Sequence, residues 1–338
     1  MGIGIVELKA KTSLISATIL VLSALIYYVS SYNSISQIDS KEVVKIAVSQ
    51  TPLSSPFIVA DQLGLFKKSD VQVELIPCKG GVACARSLFN DEVGYATSSE
   101  SVVMFESFKQ DDISLVSCFV ESGNNIKLLA LQESGIKSLE QLNGKKIGIV
   151  KASASEFYFD SMLIANNLKT LPVERVYIAP DKLNQALVSG DVDAISVWEP
   201  YGFLLTSSVE NVVDLSLEGI YHLTFNLITR KSSDTVHLEN TIAILTALEE
   251  SIQWMKANPS RAQEIVAESL SLPQSQLDWS WHDYAFRLSI GNALLSNLQL
   301  QARWALDSNL VEGSVPNYRN ILDSQALEYV QRNPLSVK

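Results

Sequence analysis

Histidine, cysteine and basic side chains are all scarce in this chain, and each shortage removes a class of chemistry. Its three histidines, His222, His237 and His282, stand apart from one another and from any metal-ligand spacing. They fit packed or surface positions better than ligands or general bases. The three cysteines, Cys78, Cys84 and Cys118, include no CxxC pair, so metal and redox chemistry lack a framework. In an oxidising compartment one pair can bridge while the third stays buried or free, and the spacing does not choose between pairings. With 26 Lys and Arg against 37 Asp and Glu, the net charge is −11. No basic stripe is present, which argues against a nucleic-acid partner.

Catalytic signatures are missing as well. There is no GxSxG elbow, no HExxH and no nucleotide loop, and the Gly80-Gly81 pair lacks the Lys-Ser/Thr ending of a phosphate loop. Asp111 and Asp112 are the nearest approach to paired carboxylates and read as a solvated turn. Without a positioned base the enzyme class has little support. Nothing calls for a cofactor.

What is present begins with Ser13 to Val29, SLISATILVLSALIYYV, an uncharged run behind Lys9 and Lys11 and ahead of a polar linker, Ser30 to Ser40. Its length lies between a signal-peptide core and a membrane span. Either reading exports the rest, with the two lysines holding the N-terminus inside. Val29 and Ser31 offer a weak cleavage site; Tyr27 and Tyr28 suit a retained anchor. Residues 1–40 are therefore expected to be a signal peptide or anchor plus linker, and the body to face the periplasm or exterior.

The body alternates strands and helices: VVKIAVS before PFIVADQLGLF, VQVELIP before a helix near 82–89, Val93–Ala96 before SVVMFESF, and KKIGIV before EFYFDSMLIANNL. That alternation predicts an α/β fold with mixed, mostly parallel sheets. Two such series predict two lobes, 41–131 with 223–338 and 132–222, and Leu238 to about Arg332 reads as a helical tail burying its stripe on the first lobe.

Three strand-to-helix junctions are rich in small hydroxyls: Ser54-Ser55-Pro56, Thr97-Ser98-Ser99 and Ser153-Ala154-Ser155. Ser153 with Glu156, and Thr97 with Glu100, spell capping boxes. A fourth strand ends in Trp198, Glu199, Pro200 and Tyr201. In open α/β sheets such ends meet in one crevice, here floored by hydroxyls and helix N-termini and walled by aromatic rings.

The order IAV, PFIVADQLGLF, VQVEL, GG, LNGKKIGIV and ALVSGDVDAISVWEPY resembles the nitrate/taurine/alkanesulfonate group of solute-binding proteins over about Val44 to Val330. The resemblance implies a type II periplasmic binding-protein fold, a monomer that serves an ABC-transporter permease, and hinges near Leu131 and Leu223. It implies ligand contacts from Gln50, Thr51 and Pro52, from Thr97, Ser98 and Ser99, from Ser153 and Ser155, and from Trp198 and Glu199. Helix N-termini and hydroxyls suit a sulfonate or nitrate, while Glu199 suits an amine, so a taurine-like solute answers both. Glu156 at the helix start opposes an anion and keeps a thiamin-precursor pyrimidine open. Relatives that make such pyrimidines carry a Cys-rich motif absent here. A membrane-tethered sensor is the remaining alternative.

Overall fold

The computed structural model describes residues 43–334. The apolar stretch Ser13–Val29 and the export reading built on it lie outside the described residues. Among the described residues, no helix is long and apolar enough to cross a membrane.

The strands form two mixed sheets. The larger has the order β11-β4-β10-β3-β1-β2, with β1 Val44–Ser49, β2 Val73–Cys78, β3 Tyr95–Ser99, β4 Ile113–Ser122, β10 Leu223–Arg230 and β11 Tyr284–Ser289. The smaller has the order β7-β6-β8-β5-β9, with β5 Ile126–Leu131, β6 Lys146–Ile149, β7 Glu174–Tyr177, β8 Ala194–Trp198 and β9 Val212–Asp214. Strands β1, β2 and β3 pair in parallel, as do β6, β7 and β8. Every antiparallel ladder involves β4, β5 or β10, the strands next to the passages between sheets.

Those passages are Gly123–Asn125 and Leu215–His222. The first precedes β5, which pairs with β8 and β9 of the smaller sheet, so Ile126–Leu131 sits there rather than in the larger sheet.

Burial explains the strand pattern. Central strands β3 and β8 are buried along their whole length, the mark of strands covered on both faces. Phe57, Phe119 and Phe225 lock the larger sheet to its helices through edge-on ring contacts with centroids 5.0 and 5.9 Å apart. Helix α1 (Ser55–Gln62) starts on Pro56, whose fixed φ suits the first turn; the short helix α2 (Leu65–Lys68) and α3 (Gly81–Phe89) follow. The C-terminal helices pack on this half. Helix α8 (Thr235–Ala257) lies on α1 and α2, and α12 (Gln325–Arg332) on α8 and β4. The tail is not wholly helical: Tyr284–Ser289 adds the edge strand β11, because its alternation of buried Tyr284, Phe286 and Leu288 with more exposed neighbours matches the period of a strand with one covered face.

Candidate functional site

The C-terminal ends of β1, β3, β6 and β8 come together between the sheets. At the end of β1, the Thr97 Oγ1 accepts the Ser49 N–H at 2.9 Å, tying two strands with a side chain the sequence had offered to a ligand. Thr51 is buried ahead of the tight turn Pro52–Ser54, and the Ser55 hydroxyl donates to the Pro52 carbonyl at 2.5 Å. Gln50 is exposed.

Beside this turn, Cys78 and Cys84 form a disulfide with Cα atoms 5.4 Å apart, leaving Cys118 free and buried. The bridge ties the end of β2 to α3 around Gly80 and Gly81. The Ser98 hydroxyl donates to the Gly81 carbonyl at 3.2 Å. Ser99, not Thr97, caps α4 (Glu100–Glu106) by accepting the Val102 N–H. Glu100 is no capping-box carboxylate either. Fully buried, it accepts from the Tyr221 hydroxyl, the Thr224 N–H at 2.8 Å and Gln301 Nε2 at 3.1 Å. Burial pushes its carboxyl upward, with the Tyr221 and Thr224 donors pulling the other way.

Helix α5 (Ala154–Ala165) departs from its expected cap in the same way. No side chain caps it. Ser153 Oγ donates to the Val150 carbonyl at 2.7 Å and lies 2.9 Å from Ser155 Oγ. Glu156 accepts from the Ala152 N–H at 2.8 Å and the Tyr177 hydroxyl at 2.7 Å, so it serves the preceding loop. Phe159, Met162 and Leu163 are buried as the stripe required, but so are Glu156 and Asp160. A helix covered on this many sides must pair its charges, and Asp160 accepts from Arg175 and from Trp304 Nε1.

On the facing wall, Trp198 ends β8 and Glu199 follows. The Trp198 ring packs edge-on to Tyr201, centroids 6.3 Å apart. Glu199 Oε2 accepts the Phe203 N–H at 2.9 Å, at the start of α7 (Tyr201–Ser208). Its Oε1 is buried without a partner. Burial raises this carboxyl to about 7, with Lys127 pulling the other way.

Ser49, Thr51, Ser99, Asn125, Ser153, Ala154 and Trp198 enclose a cavity of about 30 Å³ with Gly80, Gly81, Leu223 and Phe225, room for one or two waters. Of the sequence-expected contacts, Thr51, Ser99, Ser153 and Trp198 line it, whereas Gln50, Pro52, Thr97, Ser98, Ser155 and Glu199 do not. Asn125 also lines it and escaped strand-end reasoning, because it lies on a passage between sheets. It is buried, with Oδ1 unpartnered and Nδ2 3.4 Å from the Tyr284 hydroxyl. A half-turn of the amide exchanges these atoms, so Asn125 offers a solute either a donor or an acceptor. The halves touch directly at this cavity, and Lys79 pairs with Asp181 at 2.9 Å across its edge.

Two mixed α/β sheets facing one another over a shared cleft define a bilobal, type II periplasmic binding-protein fold. The chain belongs to the NMT1/THI5-like family, which it matches over residues 51–262. It is 23% identical over 246 residues to a putative aliphatic sulfonates-binding protein of Bacillus subtilis, covering 71% of this chain and 74% of the relative. It is 25% identical over 240 residues to a putative thiamine biosynthesis protein of Haemophilus influenzae, covering 68% and 74%. Among solved structures, the alkanesulfonate-binding protein SsuA from Xanthomonas axonopodis pv. citri bound to MOPS superposes with a TM-score of 0.76 at 15% identity, over 83% of this chain and 98% of that one.

Proposed function

We propose that this chain is the extracytoplasmic solute-binding component of an ABC importer, and that it traps a small oxyanion, of the sulfonate or nitrate class, between its two sheets without turning it over. The observation that carries this reading is the start of α5. A twelve-residue helix reaches the cavity with no side-chain cap, and its first N–H groups and positive dipole end favour an anionic oxygen. The hydroxyls of Ser49, Thr51, Ser99 and Ser153 surround the same space. Relatives named for sulfonates support it.

Because the cavity holds no more than one or two waters, a solute enters only when the halves part. Motion about Gly123–Asn125 and Leu215–His222 would admit it, and closure would restore the contact of the Trp198 indole with Gly80. A membrane permease then receives the loaded protein, which acts as a monomer. Glu199 gives its Oε2 to Phe203 and does not line the cavity, so this reading rests on the oxyanion end of the solute rather than on an amine.

A second reading, capture of an aminopyrimidine, is favoured by the Trp198 ring beside Asn125 and by the relative named for thiamine biosynthesis. Calorimetric titration with ethanesulfonate, taurine, nitrate and an aminopyrimidine separates the two. One tight site for an oxyanion supports the first reading; binding of the pyrimidine alone supports the second, and chemical conversion of any of them contradicts both.

A further inference from the structure

A far larger space lies on the opposite face of the strand that lines the cleft. Leu223 and Phe225 border the small cavity, while His222 and Thr224 border a groove of about 730 Å³; successive residues of an extended strand point to opposite sides. The groove is walled on one side by α5 and on the other by α11 (Asn292–Asp307). Its floor is aromatic. Phe157 meets Trp304 and Tyr221 nearly edge-on, centroids 5.0 and 5.3 Å apart. Trp304 spends its N–H on Asp160 at 2.9 Å, which leaves its ring for apolar contact.

The ion pair that borders the groove, Arg287 with Glu121, is closed on itself. Arg287 holds both oxygens of Glu121 at 2.9 Å. Cys118 directs its thiol to the Val120 carbonyl, and burial pushes that thiol up to about 12, so it stays neutral. Thr224 Oγ1 donates to Glu100 at 3.0 Å, and Asn297 Oδ1 accepts from Gln301. An ion entering here would lose water and find Arg287 and Glu121 already paired, with the His222 imidazole as the remaining titratable neighbour. Meanwhile Ile164 and Leu300, on the two walls, remain 45% and 61% exposed, apolar surface that a neutral occupant would cover. The volume falls in the range of ordinary small-molecule sites.

We propose that this rear groove is a second ligand site, which takes a small neutral aromatic molecule seated on the Phe157, Tyr221 and Trp304 rings between α5 and α11. The assignment does not rest on the identity of the solute in the front cleft. The probe is 5-fluoroindole, titrated into the full chain and followed by fluorine NMR. Saturable binding is expected with a Kd of about 1 mM or tighter, in keeping with a ligand of that size. Ala165→Trp and Ala293→Trp fill the groove from its two walls at exposed positions. Each should weaken binding by about tenfold while the thermal midpoint stays within about 2 °C. A probe that fails to saturate, wild-type affinity in both filled variants, or, in amide and side-chain spectra of the protein, probe-induced shifts at Trp198 and Phe225 instead of Ile164 and Leu300 would overturn the assignment.

Discussion

The Trp198 indole lies directly against Gly80: a Cβ placed on that glycine would stand 3.0 Å from the indole Cζ2. Gly80 has φ +82°, a conformation that side chains also resist. Trp198 ends a strand of the smaller sheet and Gly80 follows β2 of the larger, so their contact reports closure of the cleft. Gly80→Val should hold the halves apart and weaken solute binding by about tenfold or more. Calorimetry measures the loss, and small-angle scattering should show a larger radius of gyration with solute present than wild type shows. Unchanged affinity would mean that closure at this point is unnecessary.

Ala154 is the first residue of α5 and lines the cavity. Proline is tolerated at that position because its missing N–H has no helical partner. Ser153 is already extended, with φ −133° and ψ 170°, as the residue before a proline prefers. Ala154→Pro should therefore leave the thermal midpoint nearly unchanged while removing one donor from the anion site. Oxyanion affinity is expected to fall by about tenfold, measured by calorimetry; retained affinity would take the helix start out of recognition.

Glu199 gives folding a pH signature. Its carboxyl rises from an ordinary 4.5 to about 7 on folding. A raised acid favours the folded state while protonated, and that contribution is lost as pH climbs through the folded value. Glu199→Gln should thus gain stability relative to wild type between pH 5 and 8, by up to about 3 kcal/mol. Denaturant midpoints at several pH values measure it, and a pH-independent difference would contradict the buried acid.

Reducing the Cys78–Cys84 bridge releases the Lys79–Gly81 turn that carries the Trp198 contact. A loop this short is expected to yield about 2 kcal/mol of stability from its cross-link. Cys78→Ser with Cys84→Ser should show that loss in urea melts and a faster solute off-rate, because closure rests on a looser turn. Identical off-rates would mean that the turn holds its shape unaided.

Much of this fold was legible in the chain, and the reasons are local. KKIGIV and VDAISV read as buried strands because strands covered on both faces are continuously apolar, as β8 is. PFIVADQLGLF read as one helix because Pro56 sits where a first turn accepts it, but Gly64, at φ +66°, divides it into α1 and α2. Tyr284–Ser289 hid within a helical tail, since six alternating residues form a short signal whose partner, β4, lies far off in sequence. The site was half legible. Ser99, Ser153 and Trp198 follow from strand ends, but Thr97 and Glu199 share those ends and turn inward, to Ser49 and Phe203. Spacing names the junction; only packing decides which neighbouring side chain faces the cavity. Asn125 and the rear groove depend on segments meeting across more than a hundred residues and carry no local signature.

Hydrogen exchange on the full chain, with and without a sulfonate, tests the central claim most directly. Amides at Thr51, Ser99 to Val102 and Ser153 to Ser155 should slow together when ethanesulfonate is added, with slowing also at Gly80 and Trp198 as the halves close. Protection confined to one sheet, or none at these strand ends while the solute is bound, would contradict capture between the two sheets.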